Sequence, residues 1–242
     1  NPLMIETAAA LEGDGWVLNG RKWFTTGADG ASVCIVMAVT DPDAPPHGRA
    51  SLFLVPTDNA GYRLLRNTPV MGNAGTDLFS HGEISLELCR VPGDHLLGPR
   101  GEGYQLAQSR LGPGRIHHCM RWLGQMQRAF EIMCNYALKR QAFGSTLAQK
   151  QTIQNWIAES VGDIQAARLL TLHAANKIDQ GDEARVEVSL IKFWGAKALH
   201  NVIDRAIQTH GALGVSGDTP LELMYRLARA ARIYDGPDEV HK

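Results

Sequence analysis

A carboxylate on a tight turn is the first candidate for chemistry in this chain. Asp235 lies in the run Arg232-Ile233-Tyr234-Asp235-Gly236-Pro237-Asp238-Glu239-Val240, which follows a helical stretch. Asp-Gly is a common turn dipeptide, because Gly accepts positive φ and Asp bonds its own backbone. The same turn can hold a carboxylate against a ligand. Two arginines are the next candidates. Arg115 follows Gly112-Pro113-Gly114, read as a turn that opens the first long helix, where a cation meets an anionic ligand, another helix's carboxylate, or only solvent. Arg140 precedes Gln141-Ala142-Phe143-Gly144 at that helix's end. It is either a cation favoured at a helix C-terminus or a phosphate grip with Phe143 packing beside it. His117 and His118 are adjacent on a helix, point apart, and so cannot share a metal, with or without Cys119.

Other chemistries lack their motifs. Glycines at 98–103, 112–114 and 211–217 do not follow a strand with GxGxxG spacing, so a dinucleotide fingerprint is unsupported. Neither a GxSxG elbow nor a Ser-His-Asp order is present. Cys34, Cys89, Cys119 and Cys134 form no CxxC, which suits a reducing, intracellular compartment rather than a disulfide framework or zinc site. Net charge is −1 with no basic block, which argues against nucleic acid. No apolar run approaches the roughly 20 residues of a membrane helix. The chain starts at Asn1 inside a polar stretch and stops at Lys242, so both ends are expected to be cut from a longer protein.

The elements that must position these residues fall into two halves. Strands are expected at 16–18 and 22–26 joined by an Asn19-Gly20 hairpin, at 32–39 as a buried apolar run, at 51–55, and at 83–88 with period-two alternation. A proline-rich surface loop covers 41–48. Helices are expected at 115–140, at 147–180 with Ile153, Ile157, Val161, Ile164 and Ala167 inward, and at 183–210. A fourth opens at Thr219-Pro220, with Thr as cap and Pro at the first position. The division falls near 98–103, giving 1–100 as a β domain and 101–242 as a helical bundle, an α+β architecture.

Together these runs resemble the acyl-CoA dehydrogenase family over essentially the whole chain. The carriers are Leu18-Asn19-Gly20-Arg21-Lys22-Trp23-Phe24-Thr25-Thr26, Arg90-Val91-Pro92 with Leu97-Gly98, Arg140 to Gly144, and Gln208 to Gly214 closing on Tyr234-Asp235-Gly236. The run 110–121, the ending 235–241, and His81-Gly82, read as lengthening a loop, resemble the branch containing family member eleven. The resemblance implies a partial β-barrel-like middle domain and a C-terminal four-helix bundle lacking its last helix, with no N-terminal helical domain. It implies FAD held between the two domains and completed by a neighbouring subunit of a homodimer or homotetramer.

The implied reaction is α,β-dehydrogenation of an acyl-CoA thioester, in fatty-acid β-oxidation. Asp235, where the family usually has Glu, would take the α-proton, and the β-hydride would go to flavin N5. The swap shortens the side chain by about 1.5 Å. The alternative base position of some relatives is Gly114 here. Asp235 is expected to need burial beside the acyl chain to raise its basicity. Cofactor contacts carry over to Phe24, Thr25 and Thr26, to Arg140, Gln141, Ala142 and Phe143, and to Lys150 and Gln151. They carry over also to Gln208, Thr209, His210, Gly211 and Ala212, and to Pro237, Asp238 and Glu239. Gly112, Pro113, Gly114, Arg115 and Gly236 fall on the substrate side, and no metal is implied. Electrons would pass to an electron-transfer flavoprotein. A flavin oxidase of the same fold, like nitroalkane oxidase, also places Asp at the base position, and a truncated chain that binds no FAD is a third reading. The compartment would be cytoplasmic in a bacterium, mitochondrial or peroxisomal in a eukaryote.

Overall fold

A computed structural model describes residues 2–242. The chain divides into two compact units, one ending at Arg110 and the other running Leu111–Lys242. The first unit is built on seven strands: β1 (Ala8–Glu12), β2 (Gly15–Thr26), β3 (Val33–Val39), β4 (Ala50–Pro56), β5 (Tyr62–Asn67), β6 (His81–Pro92) and β7 (Leu96–Leu97). Their order in the sheet is β5-β6-β2-β1-β3-β4-β7. All pairings are antiparallel except the single β1–β3 contact. Leu18, Val36, Phe53, Val55, Ile84, Leu86 and Cys89 form its core.

Asn19-Gly20 is not a hairpin, contrary to expectation. β2 runs straight through it, and the turn lies at Gly13-Asp14, since Glu12 pairs with Gly15. The dipeptide instead sits opposite a bulge in β6, where the β2–β6 register shifts between Leu18 and Gly20 and Leu88 takes φ 48°. Asn19 Oδ1 accepts the Leu88 N–H at 2.8 Å. Gly20 has φ 147°, and a Cβ there would lie 2.7 Å from Thr7 Cα. Thus the packing of a neighbouring segment, not a turn, demands glycine. The run 32–39 also differs: β3 buries Cys34, Val36 and Ala38 but leaves Ile35 63% exposed. His81-Gly82 begins β6 rather than lengthening a loop. β1 escaped notice because its alanines carry weak strand preference.

The second unit is helical: α1 (Gly103–Lys139), which begins within the first unit, α2 (Gln151–Asp179), α3 (Arg185–His210), α4 (Leu221–Ala231) and the short α5 (Asp238–His241). A two-strand hairpin of β8 (Gln141–Ala142) and β9 (Ser145–Thr146) separates α1 from α2. On α1 the buried residues Cys119, Trp122, Met126, Ala129, Met133 and Ala137 recur every three or four positions, the stripe of a core-facing helix. The first five pack with Ile164 and Ala167 of α2, Ile191, Leu199, Val202 and Ile203 of α3, and Leu221 of α4. Burying a side chain of this size contributes about 1.5–3 kcal/mol. Val161 departs from the expected inward row and is 42% exposed.

Gly112-Pro113-Gly114 is not a turn. α1 starts twelve residues before Arg115 and continues through Pro113. Pro113 has no N–H to give the preceding turn, but it is exposed, so water can satisfy the carbonyl it leaves. Arg115 is therefore a mid-helix residue whose direction is set by the helix, not by a loop. Thr219 Oγ1 accepts the Leu221 N–H at 3.4 Å where α4 begins. No helix among the described residues is long and apolar enough to cross a membrane.

Candidate active site

Asp235 lies in the segment between α4 and α5, half-buried, at φ 53°, followed by Gly236 at φ 100°. Two consecutive positive φ values suit Asp-Gly and few other pairs. Gly236 is also required by space, because a Cβ would lie 2.6 Å from His241 Nε2.

Three side chains fasten this turn through its backbone. Arg115 Nε donates to the Asp235 carbonyl at 3.1 Å. His241 Nε2 meets the same carbonyl at 3.1 Å. Lys192 Nζ donates to the carbonyls of Ala231, at 2.9 Å, and Gly236, at 3.0 Å. Lys192 is 0% exposed, and its ammonium lies 5.5 Å from the Trp122 ring centre and 5.6 Å from that of Tyr234. Burial pulls the Lys192 ammonium below the ordinary lysine range. Trp122 Nε1 in turn donates to Tyr234 Oη at 2.8 Å.

The carboxylate itself meets His118, whose Nε2 lies 2.8 Å from Asp235 Oδ2. That hydrogen bond holds Asp235 below the ordinary carboxylate range. The charges of Arg115 and Lys192 act in the same sense, and half-burial opposes them. The one hydrogen bond to the carboxylate, together with the nearby cations, outweighs partial desolvation. His118, Lys192 and His241 had no assigned part in the sequence reading. The i, i+3 spacing of Arg115 and His118 was the signal that could have drawn His118 in, because both project from one face of α1.

The predicted cofactor residues separate into groups. In the first unit, a second register shift of β2 between Lys22 and Thr25 throws two rings outward. Trp23 is 63% and Phe24 47% exposed, with Phe24 at φ 58°, and the rings meet edge to face at 4.6 Å. Trp23 Nε1 donates to Thr68 Oγ1 at 3.1 Å. Thr26 Oγ1 lies 3.0 Å from His81 Nδ1, and Thr25 pairs across the sheet with Gly82.

In the second unit, Arg140 and the stretch Gln208–Ala212 line one cavity of about 510 Å³, with Tyr136, Leu147 and Leu213. The arginine is exposed, and among the described residues its guanidinium has no hydrogen-bonded or ionic partner. Gln208, Gly211 and Ala212 are exposed, whereas Thr209 and His210 turn inward. Thr209 Oγ1 donates to the Arg205 carbonyl at 2.8 Å. His210 Nδ1 reaches the Ala206 carbonyl at 2.8 Å, with its ring stacked on Tyr136. At the β8–β9 tip, Phe143 is 97% exposed at φ 52°, and Lys150 Nζ donates to its carbonyl at 3.1 Å. Gln151 bonds Asn155 one helical turn on.

Near the Asp235 turn, the Asp238 side chain is buried. Its Oδ2 is 2.6 Å from Arg232 Nε, and Oδ1 has no partner among the described residues. Pro237 and Glu239 are exposed beside it. No cluster of metal-ligand side chains occurs among the described residues.

Comparison with known proteins fits this arrangement. The profile of the acyl-CoA dehydrogenase middle domain matches residues 1–89, and that of the C-terminal domain matches 101–242. FadE2 of Mycobacterium tuberculosis, described as a probable acyl-CoA dehydrogenase, is 49% identical over 241 residues, covering 98% of this chain and 59% of its own length. Acyl-CoA dehydrogenase family member 11 of Homo sapiens is 40% identical over 242 residues, covering 98% of this chain and 31% of its own. Among solved structures, butyryl-CoA dehydrogenase from Megasphaera elsdenii superposes with a TM-score of 0.89 at 29% identity, over 98% of this chain and 61% of that one. With two successive domain profiles matched in order across nearly all its length, the chain belongs to the acyl-CoA dehydrogenase family.

Proposed function

We propose that the protein of which this chain forms part is an FAD-dependent acyl-CoA dehydrogenase in which Asp235 removes the α-proton of the thioester. The observation that carries this reading is the Asp235 turn. A carboxylate at positive φ is fastened through its backbone by Arg115, His241 and Lys192, so the base is held in place before any substrate arrives. Fixing a base this way removes the entropy of finding its reactive geometry. A low starting basicity suits an Asp that must stay ionised until an acyl chain displaces water from around it.

The residues present fit FAD. Arg140 offers an unpartnered guanidinium beside the open backbone of Gly211 and Ala212, a setting for a pyrophosphate. Gln208, and the exposed turn residues Pro237 and Glu239, would add contacts. Gln141, Ala142 and Phe143 present the hairpin edge next to Arg140, with Lys150 bracing it and Gln151 opening α2 beyond it. Thr25, Thr26 and the exposed Phe24 offer a hydroxyl-and-aromatic surface for a flat ring. Thr209, His210 and Asp238 would act by shaping the backbone, since their side chains are committed inward. When bound, FAD supplies the hydride acceptor for the β-carbon. Arg115, with Gly112, Pro113, Gly114 and Gly236, would border the acyl end. An electron-transfer flavoprotein is the proposed acceptor, and a homodimer or homotetramer the proposed assembly.

The test is anaerobic bleaching of the flavin band by a panel of acyl-CoAs in full-length protein and in Asp235→Asn. Bleaching in the wild type and its loss in a variant that still binds FAD is the expected result. Equal bleaching in both returns Asp235 to a turn residue, and bleaching by a nitroalkane alone moves the protein to the oxidase class.

A further inference from the structure

Asp235 is not the only constrained member of its pair. His118 touches two partners at once: Nε2 is 2.8 Å from Asp235 Oδ2, and Nδ1 is 2.7 Å from Arg121 Nη2. A guanidinium only donates. Its bond to Nδ1 therefore requires a lone pair there, which puts the ring's single proton on Nε2, aimed at the carboxylate. Arg121 is placed for this by its i+3 position on α1. The ring is confined as well. Its plane is 17° from that of Trp122 with centroids 6.3 Å apart, and it lies 5.0 Å from Tyr234.

We propose that His118 is a positioning residue for the Asp235 base: locked by Arg121 as the neutral Nε2–H tautomer, it holds Oδ2 and leaves Oδ1 as the proton acceptor. This rests on the reading of Asp235 as the base. Asp has two side-chain torsions, and the turn fixes only the backbone, so the carboxylate plane needs a contact of its own. A neutral imidazole already carrying its proton on Nε2 cannot take another from Asp235 in this arrangement. Its part is orientation and retention of the ionised form, not relay. The charged and titratable groups around the pair are Arg115, His117, Cys119 and Arg121 on α1, Lys192 on α3, Tyr234 beside the base, and Asp238 and His241 on α5. Arg115, Lys192 and His118 all favour the carboxylate, so removing His118 weakens but does not abolish its ionisation.

The experiment uses the full-length protein carrying FAD, with ¹⁵N-labelled histidine and ¹³Cγ-labelled aspartate followed by NMR across pH, alongside steady-state kinetics. The expected wild-type signature is a neutral Nε2–H imidazole for His118 at pH 7.5. His118→Phe, which keeps an aromatic against Trp122, is expected to move the Asp235 titration upward. It should also shift the acid limb of kcat/KM to higher pH and lower kcat about 10- to 100-fold, the scale of a misplaced catalytic group, while KM changes little. His118→Gln, whose amide can donate, should recover most of the loss. Arg121→Leu alters only an exposed side chain and should release the second tautomer. An Nδ1–H imidazole in the wild type, or an Asp235 titration and pH profile unmoved in His118→Phe, overturns the assignment. If no acyl-CoA bleaches the wild type, the parent reading and this role fall together, whereas normal bleaching with an indifferent His118→Phe refutes His118 alone.

Discussion

Lys192→Met tests whether the Asp235 turn is held up from within the bundle. Methionine nearly matches the lysine stem in volume and removes only the ammonium. The Ala231 carbonyl bond is buried, so losing its donor costs about 2 kcal/mol; the Gly236 carbonyl is partly reached by water and costs about 1 kcal/mol. Loss of the cation–ring contacts with Trp122 and Tyr234 adds about 1 kcal/mol between them. Relief of the desolvated ammonium returns part of this, leaving a net loss of about 3 kcal/mol, in line with removing one partner from a buried charged network. Urea unfolding at pH 7.5 measures it.

A second signature separates the ammonium from mere packing. Burial sets the folded pKa of Lys192 below 10.5. Between the two values the unfolded chain binds the extra proton, so this group makes wild-type stability rise with pH through that window. The variant should lack that increment. A loss under about 1 kcal/mol, with an unchanged alkaline slope, would refute the claim that Lys192 supports the turn.

Other outcomes follow from the same geometry. Gly236→Ala should lower stability by about 1–3 kcal/mol through strain at positive φ and the approach to His241, and a thermal shift assay with a flavin-reduction rate would show both effects. Burial depresses the pKa of His200 and of His241 below 6.5. As pH falls through 6.5 the unfolded chain protonates first, so the urea midpoint should drop on the acid side, and His200→Gln should flatten that drop. Arg140→Ala should weaken FAD binding about tenfold or more while leaving the unfolding free energy of the FAD-free protein within about 0.5 kcal/mol, because its guanidinium makes no internal bond. Equal FAD affinity in the two proteins, read by fluorescence titration, would remove Arg140 from the cofactor site.

Local pattern carried much of the architecture. The three- and four-residue spacing of Trp122, Met126, Ala129 and Met133 makes one apolar stripe whatever it packs against, and the helical half is legible for that reason. Glycine misled where its cause was not local. Asn19-Gly20 has the composition of a hairpin, but Gly20 is needed because Thr7 approaches it. Gly112-Pro113-Gly114 has the composition of a turn, but the helix around it is carried by flanking residues. The outward face of β3 was misjudged because apolar composition does not say which face is covered.

By itself the sequence determined the family and the two-part organisation, and it put Asp235 forward as the candidate base, since all three rest on residue types in fixed order. What only the tertiary structure decided is the surroundings of that carboxylate. His118, Arg115, Lys192 and His241 come from positions 118, 115, 192 and 241, on three different helices, and meet at residues 235 and 236. An ionisable group's basicity depends on the donors and charges within a few ångströms of it. Neighbours separated by up to 120 positions in the chain become neighbours in space only when the helices pack.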